Sequence, residues 1–358
     1  RTYRMTSLRA TLVTPLTGPL APFGQVCATG LSLWARHAAR LPPPWTNVDL
    51  DVRDTGSDVR ASMRAAMNDH PDVLFGPYGS NTMLAAARNC KRAIWNHSGA
   101  TSRLSRPVFP QVINVLSPAS TYFIGILQAV RAFDPESSTV SLLHTTTGFG
   151  RDVATGAASA ATTLNFKSEI IAFEPGQAAS AASLVPQADI LLVVGSFADE
   201  LAVAPILLRR KWRAAAFVGA GVEEVLAPLG NQREGLLGPA QWIASAAPEP
   251  DEGPGADWFV TRYRSVAGSD PPYPAVQAFA AGLLCARCLR DSGRCDDSAH
   301  LAAASQLACT TLYGAFRIDP LSGLQSGHQV LIVQWQNGKR RVVWPPERAE
   351  RPLLIPFS

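Results

Sequence analysis

The sequence predicts an α/β fold made of two Rossmann-like halves, on three observations. Short apolar, β-rich runs alternate with alanine-rich amphipathic stretches from residue 9 onward, the rhythm restarts after Ser117, and the tail from Phe316 changes to strands of antiparallel type. Strands alternating with helical patterns indicate βαβ units and a parallel sheet. A length of 358 residues suits two domains, each large enough to bury its own core.

The elements follow in order. Strands are expected at Arg9–Leu16, Val48–Arg53, Val73–Phe75 and Ala93–Trp95, with helices at Gln25–Leu41, Asp58–Met67 and Asn81–Arg92 between them. After Ser117 come helix Tyr122–Phe133, strand Thr139–His144, helix Arg151–Thr163, strand Ser168–Phe173, strand Ile190–Gly195, helix Asp199–Arg209 and strand Ala214–Gly219. Ile190–Val194 is unbroken apolar, as a parallel strand covered on both faces should be. Ala247–Gly255 is a turn-rich loop, and a broken helical block spans Ala256–Ala308. Phe316–Asp319, Gln329–Gln336 and Arg341–Trp344 complete the tail, with Asn337-Gly338 as a hairpin turn.

Composition narrows the function. Charged residues make up 17% against roughly 25% in average globular chains, which excludes disorder. The net charge of +4 is dispersed, with Lys91, Lys167, Lys211 and Lys339 the only lysines, so no nucleic-acid stripe forms. Ile190–Val194 is far shorter than a membrane span. The opening Arg1-Thr2-Tyr3-Arg4 is expected to belong to a mature or trimmed chain.

Motifs of catalysis are missing. There is no GxSxG, P-loop or HExxH, and Gly219-Ala220-Gly221 lacks the third glycine of a dinucleotide fingerprint. The histidines (37, 70, 97, 144, 300, 328) never fall at metal-ligand spacing. Asp49, Asp51 and Asp54 fit solvent-facing strand positions and a turn better than acid–base work. Cys285 and Cys288 share a helix face with Leu284 and Leu289 and suit small core residues better than zinc ligands. A disulfide among Cys288, Cys295 and Cys309 stays open for an exported chain. Neither a cofactor nor a metal is expected.

The loops at the strand ends carry a resemblance. Thr14–Gly24, Phe75-Gly-Pro-Tyr-Gly-Ser80 and Trp95-Asn-His-Ser-Gly-Ala-Thr101 follow strands one, three and four. With Gly148-Phe149-Gly150, Gly195-Ser196-Phe197, Gln277-Ala-Phe-Ala-Ala and Phe316-Arg-Ile-Asp319, this series resembles the type I periplasmic binding proteins, the branched-chain amino-acid receptor group of ABC-transporter substrate-binding proteins. The resemblance implies two lobes joined by three crossovers, near Val112–Ser120, Pro239–Pro248 and Leu312–Pro320, with ligand in the cleft between them. The first lobe would hold 1–116 plus 247–314, the second 117–246 plus 315–358.

The same resemblance assigns candidate ligand-binding residues. Tyr78, Gly79 and Ser80 lie where strand three turns into a helix, whose N-terminal amides suit a carboxylate; Ser80 as a simple N-cap is the rival reading. Ser98, Gly99, Ala100 and Thr101 would supply amides and a hydroxyl to the same group, with Gly99 allowing close backbone approach. Phe23, Phe149, Phe197 and Tyr273 would give an aromatic lining, Trp95 and His97 a rim, with Trp95 equally readable as the end of a buried strand, and Gly221 the edge of the second lobe.

One departure stands out. Receptors for α-amino acids place an acid after the strand equivalent to Ala214–Gly219, but this chain has Gly219-Ala220-Gly221-Val222, with Glu223 and Glu224 only beyond. A buried ammonium without counter-charge is costly, so either Glu223 turns in or the ligand lacks an amine. The expectation is a solute-binding protein, periplasmic or extracellular, that closes on a small organic ligand, either amino acid-like or an aromatic or aliphatic carboxylate or amide, and delivers it to an ABC-transporter permease. A cytoplasmic or receptor-linked sensor of the same fold is the alternative; an enzyme on this scaffold ranks last.

Overall fold

The computed structural model describes residues 6–357, so the opening Arg1–Arg4 lies outside the described residues. The chain divides into two units: one runs to Ser117 and takes in Trp242–Gln329, the other holds Pro118–Gln241 and the chain from Val330 onward.

The first unit begins with β1 (Thr6–Thr14), α1 (Ala21–Leu33), β2 (Trp45–Asp54), α2 (Val59–Asn68), β3 (Val73–Phe75), α3 (Ser80–Arg88), β4 (Ile94–Asn96) and β5 (Val112–Asn114). The strands form a parallel sheet in the order β2-β1-β3-β4-β5. β3 and β4 are short and wholly buried, whereas β2, at the edge, exposes Asp49 and Asp51. Asp54 accepts from Leu16 N at 2.8 Å, Gly56 N at 3.0 Å and Thr17 Oγ1 at 2.6 Å, and these bonds hold its carboxyl down at about 2. It is a loop-tying residue. α1 starts earlier than expected because Pro22 fits the first turn, where a missing N–H costs nothing.

The second unit contains α4 (Ile124–Phe133), β6 (Thr139–Thr145), α5 (Gly148–Thr163), β7 (Lys167–Phe173), α6 (Ala178–Ala181), β8 (Ile190–Val194), α7 (Phe197–Leu207), β9 (Ala214–Phe217) and β10 (Leu237–Ala240). The chain then returns to the first unit as α8 (Ala256–Ala267), α9 (Tyr273–Ser292), α10 (Asp297–Gln306), β11 (Cys309–Thr311) and β12 (Gly314–Phe316). It ends in the second unit with β13 (Leu331–Gln336) and β14 (Lys339–Trp344). That sheet runs β14-β13-β10-β9-β8-β6-β7, with β8 near its centre and buried at every position. The β13–β14 hairpin turns at Asn337 (φ 55°) and Gly338 (φ 71°), the positive pair that a two-residue turn requires.

α9 is the buried helix of the first unit. It packs on α1 so closely that a Cβ at Gly30 would lie 2.0 Å from the Ala275 carbonyl oxygen. Cys285 and Cys288 are buried on it, and burial pushes the Cys288 thiol up to about 12. All six cysteines are free thiols. No described helix is long and apolar enough to cross a membrane.

The last return differs from expectation: residues 315–329 stay with the first unit. β12 pairs with β11, Arg106 N donates to Ser322 O at 2.6 Å, Asn114 Nδ2 to Gly323 O at 2.9 Å, and Gln325 Nε2 to Val115 O at 3.0 Å. Backbone bonds to two earlier segments outweigh the strand-like look of Phe316–Asp319. Each segment expected as a crossover also carries strand: β5 and β12 lie inside the first and third, and β10 ends in the second.

Candidate functional site

In the first unit the ends of β3 and β4 are tied together by neutral groups. Gly79, at φ 95°, is the cap of α3, so Ser80 is the first helical residue and not an N-cap. The cap makes no side-chain hydrogen bond, which leaves the leading amides of α3 without a side-chain acceptor. Gly79 N donates to Ser98 O at 3.3 Å, joining the two loops.

Asn96, fully buried, builds the second loop. Its Oδ1 accepts from Gly99 N at 2.8 Å and Ser98 N at 3.3 Å, while its Nδ2 donates to Gly99 O and to Asn114 Oδ1, both at 2.8 Å. The amides of Ser98 and Gly99, expected to face ligand, are therefore already engaged. The Ser98 hydroxyl is turned inward, 2.6 Å from His97 Nδ1 and 3.6 Å from Cys27 Sγ. A Cβ on Gly99 would sit 2.6 Å from the Met83 Cβ, so packing against α3 explains this glycine. Ala100 and Thr101 complete the loop, both buried.

Three of the expected aromatics meet in this unit. Phe23 stacks on Tyr78 with ring centres 4.8 Å apart and planes 7° from parallel. The Tyr78 and Tyr273 hydroxyls are 2.6 Å apart. Phe23 lies in the first turn of α1 and Tyr273 begins α9, so helix starts carry side chains that the sequence placed in loops. The expected rim residues are core: Trp95 and His97 are buried, and burial holds the His97 imidazole down at about 4, hence neutral.

The second unit brings Phe149 and Phe197 to the first turns of α5 and α7. Phe149 meets the Tyr122 ring edge-on at 5.7 Å. Both helices are capped: Thr147 accepts from Gly150 N at 3.2 Å, and Ser196 with Asp199 forms a reciprocal capping box. Gly221 is buried, and a Cβ there would lie 1.8 Å from Pro239 O, so close packing on β10 requires glycine.

Two titratable residues outside the expected set, Glu200 and Arg340, shape this edge. Glu200, fully buried on α7, accepts from Gly219 N at 2.7 Å and Gly195 N at 3.4 Å, spanning the ends of β9 and β8. Burial pushes its carboxyl up to about 8 against the pull of those amides. Arg340 donates to Gly221 O at 2.6 Å and to Glu223 Oε2 at 2.7 Å, which holds Glu223 outward and half exposed. The signal for Glu200 was its spacing, an acid three, four and seven residues before Val203, Ala204 and Leu207 on the buried helix face. Among the described residues, no group of three or more His, Cys, Asp or Glu is arranged to hold a metal ion.

Comparison with known proteins agrees with this architecture. Residues 7–340 match the model of the family described as periplasmic binding protein. Among solved structures, a leucine-binding protein from Thermotoga maritima is 18% identical, with 94% of this chain and 97% of that one covered at a TM-score of 0.77. An ABC-transporter solute-binding protein from Rhodopseudomonas palustris in complex with p-hydroxybenzoic acid is 18% identical, with 98% and 97% covered at a TM-score of 0.76. Another from R. palustris, in complex with benzoate, is 16% identical, with 94% and 96% covered at 0.72. At these identities the structural likeness establishes the fold, while the match along almost the whole sequence establishes the family. The chain belongs to the periplasmic binding protein family and is a solute-binding protein of the type I fold.

Proposed function

We propose that this protein captures a small organic carboxylate with an apolar, aromatic body and no amine, and hands it to an ABC-transporter permease outside the cytoplasm. The observation that carries the reading is the state of the acids after β9. Glu223 is paired with Arg340, and Glu200 is buried with both oxygens on backbone amides. An ammonium there would meet neither carboxylate, and burying it unpaired would be costly. The uncapped start of α3 suits a carboxylate, and Phe23, Tyr78 and Tyr273, with Phe149 and Phe197, suit a flat apolar body. The benzoate and p-hydroxybenzoate complexes of relatives support that class.

The mechanism in this reading is hinge closure. Solute binding shifts the open–closed equilibrium, and the permease takes the closed form. The role is binding, not turnover. Calorimetry with benzoate, 4-hydroxybenzoate, benzamide and leucine tests it. Saturable binding of the two benzoates, with leucine weaker by a factor of ten or more (about 1.4 kcal/mol), is expected; leucine preferred over both would overturn it.

A further inference from the structure

We infer that Glu200 is the positioning residue of the second unit's binding edge, holding the ends of β8 and β9 in register, and that solute binding is linked to the proton on this carboxylate. The inference rests on the solute-binding reading above for its second half only.

The geometry is specific. One carboxylate accepts from the first amide after β8, at Gly195, and from an amide just after β9, at Gly219. Two residues beyond these amides stand Phe197 and Gly221. A Cβ at Gly219 would lie 2.6 Å from Glu200 Oε2 and 2.7 Å from Val225 Cγ1, so glycine leaves room for both the carboxylate and the Val225 side chain at the strand end. Asp199, beside it, is spent on Ser196 and on Gly176 N at 2.9 Å, and its charge opposes ionisation of Glu200. His144, at the end of neighbouring β6, has Nδ1 2.9 Å from the Thr145 carbonyl, and Glu223 is held by Arg340.

A carboxylate satisfies both amides; a protonated carboxyl gives up acceptor capacity and gains an O–H. Ionised Glu200 therefore holds the edge tighter than neutral Glu200. Burial pushes its carboxyl up to about 8. Because the folded value lies above the unfolded one, the folded state keeps a proton that the unfolded state has lost. Stability of the free protein then falls as pH rises from the ordinary carboxyl range through about 8.

The test compares wild type and Glu200→Gln as full chains. Without ligand, the Tm of E200Q minus that of wild type should grow between about pH 5 and 8 and level off above; a difference flat with pH overturns the inference whatever the solute. With benzoate as probe, wild-type affinity should rise roughly tenfold between about pH 6 and 9, while E200Q stays flat and weak. A flat wild-type profile, or an E200Q profile matching wild type, overturns the linkage. If benzoate does not bind at all, the function reading fails and the ligand-free arm still decides the role of Glu200. Gly219→Ala keeps the acid but crowds it, and should weaken benzoate at every pH; unchanged affinity would remove the positioning role.

Discussion

The strand ends of the two units are held by opposite kinds of chemistry. In the first unit, Asn96, His97 and Ser98 tie the loops after β3 and β4 with neutral groups, and α3 starts on a glycine cap that makes no side-chain bond. In the second, Glu200 spans the ends of β8 and β9, and Thr147, Ser196 and Asp199 cap the helices that follow. A helix start with its amides uncommitted attracts an anion; one already served by hydroxyls and acids does not. In the proposed reading, the difference gives polar recognition to the first unit and leaves Phe149 and Phe197 as the aromatic contribution of the second.

Substitutions can break or sharpen this contrast. Asn96→Ala should have the largest effect, destabilising the protein by about 2–4 kcal/mol in urea titration, because it strands the Ser98 and Gly99 amides and Asn114 Oδ1 in the core. A loss below about 1 kcal/mol would mean that the loop is held by packing. Ser80→Ala should weaken benzoate by about 1–3 kcal/mol by calorimetry with Tm nearly unchanged, and an equal affinity would remove the Ser80 hydroxyl from the site. Phe149→Ala should cost binding more than folding; equal losses would make it a core residue. Glu223→Gln should change stability least, under about 1 kcal/mol, since its pair with Arg340 is half exposed. A large gain in leucine affinity in Arg340→Ala would show that freeing Glu223 admits an amine.

Much of the architecture was legible. The bare apolar run Ile190–Val194 reads as a buried parallel strand and is one, and Asn337-Gly338 turns the hairpin expected of it. Helix starts were placed late at Phe23, Phe149 and Phe197, because glycine, proline and aromatic residues look like loop when the cap cannot be seen. Residues 315–329 were assigned to the wrong unit because their partners, Arg106, Asn114 and Val115, lie about two hundred residues away. The candidate site was read from the sequence as a set of loops, and the contacts within those loops were not legible there.

Sequence alone determined the α/β alternation, the two units and the family, since those rest on periodicity and on the order of loops along the chain. Tertiary structure decided what each polar group is for. Ser98 looks like a ligand hydroxyl until His97 and Cys27 are seen beside it, and Gly99 looks like a ligand approach until Met83 fills the space. Glu200 looks like one more helix acid until Gly195 and Gly219 close over it. Such assignments depend on which donors and acceptors reach one another across distant segments, and a buried polar group takes its role from the partner it finds.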